Sequence, residues 1–271
     1  MKRQRLNWQE KVRKNVRKIM DFEHVKAVFE EYLNGYDREN DKVKLKIVHT
    51  YGVIRCSEEI GRRMGLQAED MELAKLIALL HDIGRFEQLK RFNSFEADTM
   101  DHATYGVQVL FEEGMIRQFI EEDTWDDVIR TAIAKHSDYE LTGITDERTL
   151  LHARLIRDAD KLDNCRVKLE DAMETLLDLS ADEVGKYAIS PKVREDAFAG
   201  KCICSKDRRT PMDYWVSYVA YFYDLNFRET LDIVAEEQYV KRIIGRVPYT
   251  NEQTKKTMEE LERQLTEYVR R

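Results

Sequence analysis

The sequence predicts an all-α protein, and three observations support that fold class. Apolar residues recur every three or four positions through most of the chain, which is the period of a helix with one buried face. No segment of useful length alternates apolar and polar residues as a strand does. The 271 residues include only 3 Pro and 11 Gly, whereas 36% are charged. We therefore expect a helical bundle, with enough residues for one large domain or two unequal ones.

The composition also excludes several classes of protein. No apolar run approaches the roughly 20 residues that a membrane span needs, and the start of the chain lacks the apolar core of a secretory signal. The unrelated spacings of Cys56, Cys165, Cys202 and Cys204 form no disulfide framework. A cytoplasmic protein with reduced thiols is therefore expected. The net charge of −7 argues against nucleic acid as the main partner.

The first 20 residues differ in charge from the rest of the chain. They hold eight Lys or Arg and one Glu, which leaves a charge of −14 on the remainder. Trp8, Val12, Val16 and Ile19 recur at helical spacing, so a basic amphipathic helix is predicted. Such a helix either touches an anionic surface or packs its apolar stripe on the domain, and we favour packing.

Two helices are predicted next, and the second has a histidine on its apolar face. The first covers residues 22 to 33, and the second runs from Asp41 to Met64 and stops at Gly65. Because His49 lies on the apolar stripe of the second helix, it is expected to point inward. One inward histidine is usually a hydrogen-bonded core residue and by itself indicates little.

A third helix, over residues 71 to 83, leads into the adjacent pair His81 and Asp82. Gly84 is expected to end this helix in a left-handed conformation. At a helix end, neighbouring side chains can reach one ion that lies beyond the last turn. Residues 85 to 99 form a polar connection too irregular to assign.

The following segments place further histidines and an aspartate on apolar faces. Asp101 can cap a helix that begins at His102, and Thr124 can cap a helix whose inner face ends at His136. A long helix from about residue 148 places Asp160 among apolar neighbours, while Asp158 is expected to face solvent. An unpaired carboxylate at position 160 would be costly to bury.

The C-terminal third carries helix signals without obvious chemistry. Residues 190 to 210 look irregular, and a helix rich in aromatic residues follows Thr210 and Pro211. Asn226 can cap the next helix, which Gly245 ends, and a polar helix from about Asn251 closes the chain. The aromatic stripe is expected to be core or a subunit contact rather than a platform for a base.

Imidazoles and carboxylates thus accumulate inside the predicted bundle. This ligand type suits iron, manganese, zinc or nickel, and it does not suit a thiolate zinc site or an all-oxygen calcium site. The number of groups is sufficient for two ions that share a carboxylate. The candidate ligands are His49, His81, Asp82, His102, His136 and Asp160.

The order of these residues resembles the HD-domain superfamily of metal-dependent phosphohydrolases. The resemblance rests on "LLHDIGR" at residues 79–85, "RDADKLDN" at residues 157–164 and His49, and it covers about residues 40 to 170. His102 and His136 match the two extra histidines of the binuclear members. Ser137 follows His136 and no Gly-Tyr-Pro motif is present, so the chain departs from the branch that cleaves cyclic dinucleotides.

The resemblance implies a site and a reaction. A first ion would be held by His49, His81, Asp82 and Asp160. The second would be held by His102 and His136, with Asp82 bridging. A hydroxide between the ions would attack a phosphate ester, and Arg85 and Lys161 would bind the phosphate as catalytic residues. The cofactor is then one or two divalent ions of iron, manganese, zinc, nickel or magnesium.

The resemblance leaves two other functions open and implies a division of the chain. The alternatives to the phosphohydrolase are a di-iron oxygenase of the same superfamily and a non-catalytic sensor or interaction module. The expected partner is a small phosphate ester or nucleotide, and a homo-oligomer stays open. We expect an N-terminal extension over residues 1–40, a metal-binding domain over 41–170 and a C-terminal helical region over 171–271 packed on it.

Overall fold

The computed structural model describes residues 20–96 and 98–271, and within them the chain is helical without any strand. The predicted all-α fold class is therefore confirmed. The basic helix predicted from Trp8 to Ile19 lies outside the described residues. No helix in the described part of the chain is long and apolar enough to cross a membrane.

The helices fall into two runs along the chain. The first run contains α1 (Phe22–Leu33), α2 (Asp41–Met64), α3 (Ala68–Leu80), α4 (Ile83–Phe92), α5 (His102–Val107), α6 (Ile116–Phe119), α7 (Asp126–Lys135) and α8 (Glu147–Glu170). The second contains α9 (Met173–Leu177), α10 (Ala181–Val184), α11 (Pro191–Phe198), α12 (Pro211–Ala220), α13 (Arg228–Glu236), α14 (Tyr239–Ile244) and α15 (Glu252–Tyr268). A π-helical turn covers Gln108–Glu112, and 3₁₀ turns cover Ser205–Asp207 and Tyr221–Asp224.

The two longest helices, α2 and α8, pack against each other at the centre of the first run. The Asn40 side chain caps the start of α2 by accepting from two backbone N–H groups, and Gly65 ends it with a φ of 72°. The Asp146 side chain caps α8 by accepting from the backbone N–H of Thr149. Helix α3 packs on both members of this pair, and α7 packs on α8 and α3.

The chain bends at His81 and Asp82, where a single helix over 71–83 was predicted. Helix α3 ends at Leu80, and α4 begins at Ile83 and continues into the stretch that had no assignment. Gly84 lies inside α4 and not in a left-handed cap, so that prediction was wrong. A Cβ at Gly84 would lie 2.2 Å from the carbonyl oxygen of His102. A glycine at position 84 therefore allows the backbones of α4 and α5 to approach each other closely.

The predicted caps have mixed outcomes. The Asp101 side chain accepts from the N–H of Thr104, as the sequence predicted for the start of α5. The predicted cap at Thr124 is wrong, since α7 starts at Asp126 without a side-chain cap. Asn226 is not a cap either, because its side chain donates to Asp158.

Asp158 ties the second run of helices to α8. It was expected to face solvent, but it is fully buried and accepts from the N–H groups of Asn226 and Phe227 and from the Thr230 hydroxyl. Burial raises the pKa of this carboxyl, and these hydrogen bonds oppose the rise. Helices α13 and α14 consequently pack against α8.

In the rest of the second run, some of the predicted helix starts and ends are confirmed. Thr210 and Asp213 form a capping box at the start of α12, whose Trp215 is fully buried in the core. Asn251 caps α15, and Gly245 follows the end of α14 as predicted. The single helix predicted between Asn226 and Gly245 was wrong, because the chain there forms two helices, α13 and α14. Residues 190–210 are not irregular throughout, since α11 occupies Pro191–Phe198.

Candidate metal centre

The structure brings all six predicted metal ligands to one place within the bundle. His49 comes from α2, the pair His81 and Asp82 from the bend before α4, and Asp160 from α8. The remaining two lie at helix ends, His102 at the start of α5 and His136 at the end of α7. They form two groups, each with ligand atoms within 4.8 Å of one another: His49, His81 and Asp160 in the first, and Asp82, His102 and His136 in the second.

In the first group, the lone pairs of two imidazoles and a carboxylate face each other. His49 Nδ1 lies 2.8 Å from Asp163 Oδ2, and a ring that donates to this carboxylate from Nδ1 alone has a lone pair on Nε2. That Nε2 lies 2.9 Å from Asp160 Oδ1, which is also an acceptor. Two acceptors at this distance repel each other unless a proton or cation lies between them. The pair therefore fits a bound cation.

His81 gives the most direct sign of a missing partner. Its Nδ1 lies 2.8 Å from the carbonyl oxygen of Ala78, so the ring N–H points there and the lone pair is on Nε2. This Nε2 is buried and has no hydrogen-bond partner among residues 20–96 and 98–271. Its closest carboxylate oxygens are Asp82 Oδ2 at 3.6 Å and Asp160 Oδ1 at 3.9 Å, and neither can donate when ionised. A buried nitrogen that has no hydrogen-bond partner and faces two carboxylates fits the role of a metal ligand.

The second group repeats this arrangement. His136 donates from Nδ1 to the carbonyl oxygen of Ile133, at 2.7 Å, and its Nε2 lies 3.1 Å from His102 Nε2. Arg85, which can only donate, approaches the same His102 nitrogen at 2.9 Å, so this nitrogen also carries a lone pair. Asp82 Oδ1 lies 3.2 Å away. Three acceptor atoms thus converge on one point.

Asp82 lies between the two groups and presents one oxygen to each. Oδ2 faces His81 and accepts from Lys46 at 2.6 Å, while Oδ1 faces His102 and lies 3.7 Å from the Nε of Arg85. Burial would raise the pKa of Asp82, but Lys46, His81 and Arg85 hold it well below the usual range. The carboxylate is therefore ionised and presents one oxygen to each of the two groups.

Two of the histidines, His81 and His102, have the protonation state that metal binding requires. Burial lowers the pKa of His81 to about 4, although the nearby carboxylates oppose this change. Burial and the charge of Arg85 lower the pKa of His102 to about 3. Both rings are neutral near pH 7, and neutral imidazole is the ligand form.

The centre opens to solvent on one side. The Asp160 side chain is 23% exposed, and those of Lys46 and Arg85 are each 13% exposed. The other five ligand residues are buried. Asp160 and two cationic side chains therefore lie on the solvent-facing side of the centre.

Sequence reasoning missed three residues that support the ligands. Lys46 contacts Asp82, Asp163 orients His49, and the Asn164 amide donates to Asp160 Oδ1 at 3.0 Å. Their helical spacing carried a signal, since Lys46 precedes His49 by three residues and Asp163 follows Asp160 by three. Gly52 leaves room for Asp163, whose oxygen lies 1.9 Å from where a Cβ would stand.

The two predicted phosphate-binding residues lie in different surroundings. Arg85 reaches the centre through His102, as described above. Lys161 Nζ instead lies 2.8 Å from Asp224 Oδ2, which also accepts from Arg157. A catalytic role for Lys161 stays a prediction, and no contact with the ligands supports it.

Comparisons with known proteins agree with this site. A family model described as "HD domain" matches residues 47–165, which include all six candidate ligands. This segment, which is less than half of the chain, is similar to the HD-domain family.

The chain is also similar to Ribonuclease Y of Acetivibrio thermocellus, with 30% identity over 165 residues. The aligned part is 58% of this chain and 27% of that relative, so the similarity spans about a quarter of the relative's length. No solved structure matches the chain.

Proposed function

We propose that the protein is a metal-dependent phosphohydrolase that cleaves a phosphate ester. The observation that carries this proposal is the convergence of imidazole and carboxylate lone pairs at the two groups, beneath an opening flanked by Lys46 and Arg85. Neutral imidazoles and ionised carboxylates are the donor set for divalent transition metals. Cations at the opening suit an anionic substrate.

The donor geometry suggests how two ions would be held. His49, His81 and Asp160, with Oδ2 of Asp82, would hold one ion. His102 and His136, with Oδ1 of Asp82, would hold the other. Divalent ions at such a pair of sites acidify water and neutralise phosphoryl oxygens during displacement at phosphorus.

The protein side chains contribute orientation and charge. Asp163 and the carbonyl oxygens of Ala78 and Ile133 fix the ring orientation of three histidines, which holds each ligand lone pair toward the centre. Arg85 lies against His102 and presents a planar guanidinium, which can bind two phosphoryl oxygens at once. The buried walls of the centre exclude bulk water and strengthen these interactions.

The chemistry of the site favours a phosphate ester but does not distinguish a monoester from a diester. The relative's printed name adds RNA to the substrates worth testing, although the net charge of −7 gives no general affinity for nucleic acid. Nucleotides, generic phosphate esters and a short single-stranded RNA therefore make up a suitable panel.

The test compares wild type with Asp82→Ala and Asp82→Asn on that panel, with added Mn²⁺ and then with chelator. We expect Mn²⁺-dependent turnover by wild type, and turnover at the chelated level in both variants, because each removes the charge that bridges the two groups. Asp182→Ala, an exposed residue in α10, is the matched control and should keep wild-type activity. Circular dichroism confirms that the variants stay helical.

Full activity in the Asp82 variants, or turnover that persists in chelator, would refute the proposal. The Asn variant keeps the shape of the side chain, so a loss limited to the Ala variant would indicate a packing role. Oxygen consumption by iron-containing protein, without hydrolysis of any ester, would instead support the oxygenase alternative.

A further inference from the structure

Lys46 is an unusually placed cation. Its ammonium group contacts Oδ2 of Asp82 at 2.6 Å, and this oxygen also faces His81. An ammonium has three donors, and within residues 20–96 and 98–271 this contact is the one hydrogen bond that Lys46 Nζ makes. The side chain is 13% exposed, whereas that of Asp82 is 3% exposed. The Lys46 side chain therefore reaches solvent more than the carboxylate that it contacts.

A divalent ion in the first group would change the surroundings of this ammonium. The ion would take Oδ2 of Asp82, and Lys46 would then lie beside a doubly charged cation while sharing its only carboxylate. Like charges at this distance repel strongly in a poorly solvated site. The Lys46 side chain is long and flexible, and the opening gives its head group room to turn away from Asp82.

Arg85 lies beside the other carboxylate oxygen of Asp82, as Lys46 lies beside the first. Its Nε lies 3.7 Å from Asp82 Oδ1, is buried and has no hydrogen-bond partner, and its Nη2 lies against the lone pair of His102. Both residues are also close to Phe95, whose carbonyl oxygen accepts from Arg85 and whose ring centre is 5.8 Å from Lys46 Nζ. Two cations thus flank one carboxylate beside the same wall of the opening.

We propose that Lys46 is a phosphate-binding residue that pairs with Asp82 only until a divalent ion binds, so that binding of the ion and of a phosphoryl group are coupled. The inference rests on the proposed phosphohydrolase function and adds a residue to its substrate site. Ion binding frees the ammonium, and the phosphoryl oxygens then accept from Lys46 on one side and from Arg85 on the other. By linkage, phosphate raises the affinity for the ion by the same factor that the ion raises the affinity for phosphate.

The test is calorimetric and needs no turnover. Mn²⁺ is titrated into the metal-free protein with and without inorganic phosphate, and phosphate is titrated into the protein saturated with Mn²⁺. For Lys46→Met we expect phosphate binding about tenfold to a hundredfold weaker, as is typical when one charge-assisted hydrogen bond is lost. Mn²⁺ binding without phosphate should be unchanged or tighter, because a competing cation is removed.

Two further variants make the result specific. Lys44→Met removes the same charge from an exposed position of α2 and should leave both affinities unchanged. Lys46→Arg keeps the charge and should retain most of the phosphate affinity. Thermal unfolding of the Mn²⁺-bound proteins checks that Lys46→Met is folded.

Several results would overturn the proposal. If Lys46 only holds Asp82 in position, Lys46→Met will weaken Mn²⁺ binding and leave the phosphate affinity of the saturated protein unchanged. Equal losses in Lys44→Met and Lys46→Met would also overturn it, because the effect would then be general electrostatics.

The ester panel separates this inference from the proposed function. If wild type hydrolyses esters while Lys46→Met keeps the wild-type KM, only the inference fails. Phosphate binding that depends on Lys46, in a protein that hydrolyses no ester, refutes only the proposed function.

Discussion

Gly84→Ala should separate the stability of the fold from the second group of metal ligands. Helices α4 and α5 cross where Gly84 faces backbone, and an added Cβ would lie 2.2 Å from the carbonyl oxygen of His102 and 2.7 Å from the N of Gly106. Ordinary contacts of a Cβ begin at 3.4 Å, so the two backbones must move apart by about 1.2 Å, the difference between 3.4 and 2.2. Backbone atoms cannot rotate out of the way as a side chain would.

The energetic cost follows from the two opposing effects of the substitution. Overpacking typically costs about 1–3 kcal/mol, and a backbone contact this close places Gly84→Ala at the upper end. Alanine regains up to about 1 kcal/mol of helix propensity. The net loss in the free energy of unfolding is about 2 kcal/mol, or a melting temperature lower by about 4–8 °C in a chain of this size.

The same displacement acts on the metal centre. His102 is the first residue of α5, and its Nε2 lies 3.2 Å from Asp82 Oδ1. Metal–ligand distances tolerate about 0.2 Å, so a shift of about 1 Å should abolish binding at the group that contains His102 and spare the group around His49.

Urea denaturation and metal analysis after dialysis measure the two effects. Gly35→Ala is the control, because its added Cβ would have one ordinary contact, 3.5 Å from the carbonyl oxygen of Tyr32. It should change the free energy of unfolding by less than about 0.5 kcal/mol. A Gly84→Ala protein with wild-type stability and metal content would refute the reasoning about the α4–α5 contact.

Two further predictions concern the histidine ligands. Asp163→Ala should weaken metal binding about tenfold to a hundredfold, because His49 loses the acceptor that orients its ring. Competition with a chelating dye measures the metal affinity. An unchanged affinity would contradict this prediction. The metal-free protein should lose stability as the pH falls below about 6.5, because the folded pKa values of His81 and His102 are lowered to about 4 and about 3. Between these values and 6.5 the unfolded chain binds more protons than the native protein, so the free energy of unfolding rises with pH. Urea denaturation in chelator at pH 5 and pH 7 measures the difference, and equal stability at the two pH values would contradict burial of neutral rings.

The sequence by itself determined the fold class and pointed to the candidate ligands. Helical periodicity is a local property, so the limits of α2, with its end at Gly65, could be read directly. The ligands stood out because histidine and aspartate are costly on an apolar face unless something binds them. His49 and Asp160 were recognised in this way, and the structure places them 2.9 Å apart.

Tertiary structure decided what surrounds those ligands. Asp163 orients His49 from 114 positions away, and Lys46 meets Asp82 across 36 positions. Asp158 looked like a surface residue because its partners lie 68 or more positions further along the chain. Gly84 looked like a helix end because the backbone it faces belongs to another helix. Local sequence shows which side chains must be buried. The hydrogen-bond partners of those side chains and the close backbone contacts depend on how distant helices pack, and no short sequence pattern encodes that packing.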